Sequence, residues 1–349
     1  MTSIDELFER AGALVDTGRV PACQVAVGHL GEVVAFETFG AATNTTRFCI
    51  FSATKPIVAS VVWLLIGDGL VDPSEAVARY VPELETAGLD QVTLEQVLLH
   101  TAGFPNAPMA TLEGADPQRR RARFATWEPE WPPGTRFEYH AESAHWVLAE
   151  VIDRLSGRDY RDVLEERVCA PLGLPRALGI PVDAQHDLAP LIPLTPNAER
   201  DPLLRFNDPA VRAAGNPAGG AFMTAADLAR FYQGLLHNPH DLWDAAVLRD
   251  ATTNIRCTYD DPFLGVSANR TIGLVVAGDD GNHELRYAIF GRGCSPAAFG
   301  HAGAHAQVGW ADPASGISFA FLTNAIDEDM MRSGARASRL ATIAADLEL

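Results

Sequence analysis

Lysine is nearly absent from this chain: of 27 basic residues, 26 are arginine and one, Lys55, is lysine. Acidic residues number 45, leaving a net charge of −18. That balance argues against nucleic acid or an anionic membrane surface as a partner. No G-x-S-x-G occurs, which removes the nucleophile elbow of the α/β hydrolases, and Gly293-Cys294-Ser295-Pro296 is no substitute. No His-Glu-x-x-His occurs either, and the ten histidines lack metal-ligand spacing, so no metal is expected. The glycine-rich segments lack the strand–G-x-G-x-x-G–helix setting of a nucleotide site, and no cofactor is expected. Five cysteines (Cys23, Cys49, Cys169, Cys257, Cys294) are odd in number and show no C-x-x-C, as fits free, mostly buried thiols in a reducing compartment. The first ten residues have neither the basic nor the apolar region of a signal peptide, and the longest apolar run is too short and interrupted to span a membrane. The expected location is therefore the cytoplasm.

What the sequence does have is organised around Phe51-Ser52-Ala53-Thr54-Lys55-Pro56. The apolar run after it, from Ile57 to Ile66, reads as a helix buried on nearly all sides and ended by Gly67-Asp68-Gly69. Pro56 is tolerable only in the first turn of such a helix, so Ser52 lies at or just before its N-terminus. Lys55, three residues on, shares a face with it. A serine hydroxyl is a poor nucleophile until a base takes its proton, and a lysine with a lowered pKa can be that base. Ser267 and Ser333 also have a basic residue three positions on, but it is Arg270 or Arg336, and arginine does not give up its proton. The plain alternative is a surface lysine beside a capping serine, a role that arginine, used everywhere else in the chain, would fill equally well.

With 349 residues, 47% of them hydrophobic, the chain can form one large domain or two small ones around an ample core. Residues 3–17 have helical spacing and stop at Gly18. Cys23–Leu30 and Val33–Phe39 read as a β-hairpin turning at Gly31-Glu32. Val92–His100 reads as a helix with a Thr93/Gln96 capping box. Helices are also expected within Arg136–Leu155, over Tyr160–Val168 and after the cap Thr224-Ala225-Ala226-Asp227. Asn197–Gly220 is too long and too rich in Pro, Gly and Asn for an idle connection. The run Arg119-Arg120-Arg121 with Arg123 reads as a solvated helix face or loop. Strand-like runs return at Ile272–Ala277, Leu285–Phe290, Ala306–Asp312 and Ile317–Asn324, before a last helix over 328–349. Strands at both ends and helices between them imply an α/β (α+β) fold: one antiparallel sheet built from the N- and C-terminal strands, flanked by helices. The expected division is residues 1–75 plus 251–349 for the sheet-bearing part and 76–250 for a mostly helical insertion.

Three further stretches complete a pattern: Leu98-Leu99-His100-Thr101-Ala102-Gly103, Gly134-Thr135-Arg136-Phe137-Glu138-Tyr139-His140-Ala141, and Phe299-Gly300-His301-Ala302-Gly303-Ala304. With Ser-x-x-Lys, their order and spacing resemble the serine β-lactamase and penicillin-binding-protein superfamily. The nearest resemblance is to its class C-like branch with the family VIII carboxylesterases and D-aminopeptidase-like hydrolases, and it extends from Cys23 to Asn324. The resemblance implies a β-lactamase-like fold, Ser52 as nucleophile, Lys55 as its base and Tyr139 as second base and proton donor. It further implies the backbone N–H groups of Ser52 and Ala304 as an oxyanion hole, and His301, Gly303 and Ala141 along the substrate. A phenol acts as a base only beside a cation, which Lys55 supplies, and the two would titrate as a pair.

Two departures bear on substrate. Where the β-lactamases carry Tyr-x-Asn the third residue here is Ala141, and the lysine of their Lys-Thr-Gly is His301. Both remove contacts that grip a β-lactam and leave the acylating groups in place. The expected activity is therefore hydrolysis of small or medium carboxylic esters through an acyl-enzyme. The alternatives are β-lactam or D-amino-acid peptide hydrolysis on the same machinery, acyl transfer to an alcohol, or a non-catalytic binding protein that kept the fold.

Overall fold

The computed structural model describes residues 3–286 and 289–349. A six-stranded antiparallel sheet runs in the spatial order Glu32–Gly40, Ala22–His29, Ile317–Thr323, Gln307–Asp312, Phe299–Gly303, Val275–Val276. The N-terminal hairpin thus pairs with the C-terminal strands, Cys23 facing Thr323 and Gly28 facing Ser318. Alternation along the strands sends Val25, Val27, Trp310, Phe319 and Phe321 to one face. There they pack with the helices Ile4–Asp16 and Met330–Ala345. Ala22, Ala26, Ala311, Ala320 and Leu322 go to the other face, into a larger core shared with the helices Thr54–Gly67, Ser143–Ser156 and Ala225–His237. Ala225–His237 lies directly on the sheet. Its Gln233 donates to Ser318 Oγ over 3.1 Å and accepts from Gly31 N–H over 2.8 Å, while a Cβ at Gly309 would come 2.6 Å from the Tyr232 ring. Glycine there is what allows the close approach.

The helix Thr54–Gly67 is buried from Thr54 through Leu65, as its apolar run, with only the small Ala59 and Ser60 between the larger side chains, predicts. Its indole Trp63 donates to the Ile272 carbonyl over 2.7 Å. Thr93 and Gln96 form the expected capping box, though the helix they open is short, Leu94–Leu98.

Several expectations need correction. The hairpin turns at Leu30-Gly31, one residue early, both with positive φ (52° and 84°), as a tight two-residue turn requires. The run Ile272–Ala277 contributes only Val275–Val276, because Gly273 (φ 127°) breaks the extended path. In Leu285–Phe290, Leu285 ends a 3₁₀ turn, Ile289 and Phe290 belong to no strand, and residues 287 and 288 lie outside the described residues. The arginine run is not a solvated face throughout. On the helix Pro117–Phe124, Arg120 is fully buried and donates to Glu150 over 2.6 Å, to the Gly114 carbonyl over 2.9 Å and to Asp153.

Candidate active site

Ser52 occupies a 3₁₀ turn, Phe51–Ala53, that feeds directly into the helix Thr54–Gly67. It is half-buried, whereas Lys55 is 1% exposed. The lysine Nζ stands 3.4 Å from Ser52 Oγ, 2.7 Å from the Ala141 carbonyl oxygen and 2.9 Å from that of Ala218. An ammonium has three protons, and here it finds three acceptors. A neutral amine in the same place would give two protons to the carbonyls and turn its lone pair to Ser52. The geometry suits both states, which a proton carrier needs.

The two carbonyls come from different segments. Ala141 follows Tyr139 just before the helix Ser143–Ser156. Ala218 lies in the Pro/Gly/Asn-rich stretch. Its N–H donates to Asn216 Oδ1 over 2.9 Å, and the amide of buried Asn216 donates in turn to Thr111 Oγ1 and Glu142. Holding one of the lysine's partners, Ala218, gives that long stretch a task.

Tyr139 is half-buried, with Lys55 Nζ 5.0 Å from the centre of its ring. Two histidines flank it and a third stacks behind one of them. His100 lies 4.8 Å and His301 6.2 Å from it, ring centre to ring centre, and His145 stacks on His100 at 6.1 Å. His145 Nε2 also lies 3.3 Å from the Lys55 carbonyl oxygen. Burial, joined by the charges of Arg270 and Lys55, holds all three well below the ordinary histidine range, and burial holds neighbouring His140 at about 4. They stand as neutral rings at neutral pH.

His301 sits on the strand Phe299–Gly303 opposite Gly309. The strand's end is pressed against the serine turn: a Cβ at Gly303 would come 2.1 Å from the Ile50 carbonyl oxygen. That approach brings the half-buried Ala304 beside the 3₁₀ turn that carries Ser52. Ser52, Lys55, Tyr139, His301, Gly303, Ala304 and Ala141 therefore converge on one place, with Ala141 exposed at its rim. Other serines near motifs have structural tasks: Ser143 Oγ donates to the Phe104 carbonyl and Ser295 Oγ to Asp312. Cys49, near the serine turn, is held neutral because burial pushes its thiol up to about 12.

Sequence reasoning missed Arg270. It is 1% exposed, its Nη1 lies 3.0 Å from His301 Nε2, and its guanidinium carbon lies 5.2 Å from the Tyr139 ring centre. The only signal was negative: Arg270 stood out as a basic residue that could not activate Ser267. His100 and His145 were also missed. Among the described residues no group of His, Cys, Asp and Glu is arranged to hold a metal, and no helix is long and apolar enough to cross a membrane.

The family model described as Beta-lactamase matches residues 4–343. Among curated proteins, "Esterase/beta-lactamase LipL" of Mycobacterium tuberculosis is 27% identical over 304 residues, covering 79% of this chain and 68% of that protein. "Esterase EstB" of Burkholderia gladioli is 27% identical over 289 residues, 68% of this chain and 70% of its own. A solved penicillin-binding protein homologue from Caulobacter crescentus superimposes with a TM-score of 0.79 at 26% identity, over 97% of this chain and 95% of the other. A family VIII carboxylesterase does so at 0.82 and 24% identity, over the same shares, a likeness of fold.

Proposed function

The chain belongs to the Beta-lactamase family, and on that premise we propose that it is a serine hydrolase that cleaves small or medium carboxylic esters through an acyl-enzyme on Ser52. The observation that carries this reading is the buried Lys55 amine 3.4 Å from the half-buried Ser52 hydroxyl. In the proposed sequence, Ser52 Oγ attacks the ester carbonyl and its proton passes to the Lys55/Tyr139 pair. The carbonyl oxygen, now negative, receives the N–H groups of Ser52 and Ala304. The pair returns the proton to the leaving oxygen, the alcohol departs, and the acyl group stays on Ser52. Water then attacks the acyl carbon, gives up a proton to the same pair and releases the acid, leaving Ser52 protonated again.

Esters rather than β-lactams are favoured by Ala141 and His301. His301 receives a hydrogen bond from Arg270 and sits as a neutral ring, so it offers no ammonium to a β-lactam carboxylate. Esterase EstB is named for this activity, whereas LipL is named for both. A small-molecule ester or amide as the partner, and a cytoplasmic setting in which five buried cysteines stay free, belong to the same proposal.

The test is a fluorophosphonate that reacts with activated serines, followed by peptide mapping and by turnover of aryl esters against a chromogenic cephalosporin. The expected result is one adduct, on Ser52, and higher kcat/KM for the esters. An adduct on Ser143 or Ser295, or a clear preference for the cephalosporin over several esters, would overturn the corresponding part.

A further inference from the structure

His305 follows Ala304 and holds a backbone conformation that L-residues seldom take, φ 56° and ψ 38°, with Ala306 also left-handed at φ 72°. Phe51, before Ser52, is left-handed too, at φ 43°. Non-glycine residues stay in this region only where their surroundings over-determine them. Each proposed oxyanion donor thus has a strained neighbour in the chain, and the two strained residues meet: the Phe51 and His305 rings pack edge-on with centres 5.8 Å apart.

The His305 ring is held at both nitrogens. Nε2 lies 3.2 Å from Asp201 Oδ2. Nδ1 lies 3.2 Å from the backbone N of Asp327 and 3.1 Å from its carbonyl oxygen. The Asp201 carboxylate only accepts, so Nε2 carries the proton and Nδ1 takes the Asp327 N–H. Asp201 caps the turn Pro202–Asn207, whose Phe206 packs on Phe51 at 5.8 Å. Asp327 is tied to the last helix, with Arg336 Nη2 at 2.8 Å and Arg332 Nε at 3.0 Å. One clamp therefore reaches from the last helix, through His305, to the segment that also packs on Phe51.

We infer that His305, clamped by Asp201 and packed on Phe51, is a positioning residue that sets the spacing of the Ser52 and Ala304 N–H groups for the oxyanion of the proposed acyl transfer. Such donors act only if they are aimed before the charge appears, and two left-handed residues braced against each other supply that rigidity. The inference rests on the acyl-enzyme reading and adds residues to it that no motif contains.

The experiment measures steady-state kinetics on an aryl ester, affinity for an arylboronic acid (whose tetrahedral adduct presents an oxygen to the same N–H groups) and melting temperature. The variants are His305→Ala, His305→Asn and Asp201→Ala. His305→Ala is expected to lose about 10²-fold in kcat, with boronate affinity falling in parallel and KM within about threefold of native. His305→Asn is expected to recover about tenfold, because asparagine tolerates the left-handed region and its amide oxygen can accept the Asp327 N–H. Asp201→Ala changes no left-handed residue and carries the test if His305→Ala does not fold; its expected loss is about tenfold in kcat. Native kcat and boronate affinity in the folded fraction of these variants, with only the melting temperature lowered, would overturn the inference while leaving the acyl-enzyme reading intact. Failure of the native protein to label on Ser52 would overturn both.

Discussion

Arg270 Nη1 lies 3.0 Å from His301 Nε2, and because a guanidinium can only donate, the imidazole must accept there and carry its proton on Nδ1, 2.6 Å from the Ala302 carbonyl oxygen. The positive charge beside Tyr139 therefore comes from Arg270 and Lys55, not from the His-x-Gly strand. Arg270→Met would leave His301 Nε2 without this donor, and a buried polar atom stripped of its partner costs about 1–3 kcal/mol. The expected outcome is a lower urea midpoint and lower kcat. Native values of both would contradict it.

Lys55→Arg keeps the charge and the helix but not a proton that can leave near neutral pH. Turnover should fall by about 10²-fold or more, as for the loss of a general base. Tyr139→Phe should lose a comparable factor on esters and cephalosporins alike. An arginine variant with more than about half the native kcat would remove Lys55 from the base role. The check is steady-state kinetics alongside circular dichroism to verify folding.

Gly303→Ala tests the approach of the His301 strand to the serine turn. Glycine is not required by the backbone there, since φ is −106°, so the substitution acts through space alone. The new methyl would meet the Ile50 carbonyl oxygen at 2.1 Å. Backbone must give way, and a displacement of the Ala304 N–H on the order of 1 Å should cost about 10²-fold in kcat. An alanine variant as active as native would show that the strand's closeness does not matter to the reaction.

Stability should fall as the medium turns mildly acid. Burial holds His140 at about 4 and His100, His145 and His301 well below their ordinary range, whereas in the unfolded chain histidines titrate near ~6.5. Below that pH the unfolded state binds protons that the folded state refuses, so the folded state loses ground as pH drops from about 6.5 towards 4. Each such group contributes up to ~1.4 kcal/mol per pH unit inside that window. Urea midpoints at about pH 7.5 and pH 5 should differ clearly, and equal midpoints would contradict the neutral assignment.

Arg120→Met would leave Glu150 and Asp153 without the arginine they share in the interior. Glu150 keeps Arg121 and Arg154, at 2.6 and 2.5 Å, but Asp153 loses its charge partner. Removing one member of a buried ion cluster typically costs about 3–5 kcal/mol. The expected result is a large drop in melting temperature with kcat per folded molecule unchanged, because the cluster lies on the far part of the helix Ser143–Ser156 from Tyr139. A loss of kcat at native melting temperature would show that the cluster communicates with the site.

That Ser52 and Lys55 meet was legible in the sequence because Ser-x-x-Lys at a helix start puts both side chains on one face, whereas Tyr139 was named only through the family resemblance. The hairpin and the strands at 307–312 and 317–323 were legible because short runs of apolar, β-branched and aromatic residues bounded by Gly, Asp-Pro and Asn read as strands, and 307–312 and 317–323 are buried on both faces. The groups around Tyr139 were not. Arg270, His100 and His145 come from three segments with no shared spacing, and only the closed fold brings them together. The left-handed Phe51 and His305 carry no glycine or asparagine to betray them, since tertiary contacts hold them there. Arg120 looked solvated because its neighbours in sequence are basic, while its partners lie 30 and 33 positions away. The helix Ala225–His237 falls inside the 76–250 segment yet packs on the sheet, through Gln233, Ser318 and Gly31.

The pairing of Cys23 with Thr323 has a consequence for how the protein is made. The strand Ala22–His29, buried in the finished sheet, leaves the ribosome well before one of its two neighbours, which is encoded about 300 positions later. At ordinary synthesis rates that gap is ~15–60 s, far longer than a hairpin needs to form. For that interval the nascent chain carries an apolar two-stranded ribbon with an open edge, and the serine turn lacks the strand that presses on it. Until that neighbour is made, the open edge of Ala22–His29 presents unpaired backbone N–H and C=O groups of the kind that can template pairing with another chain.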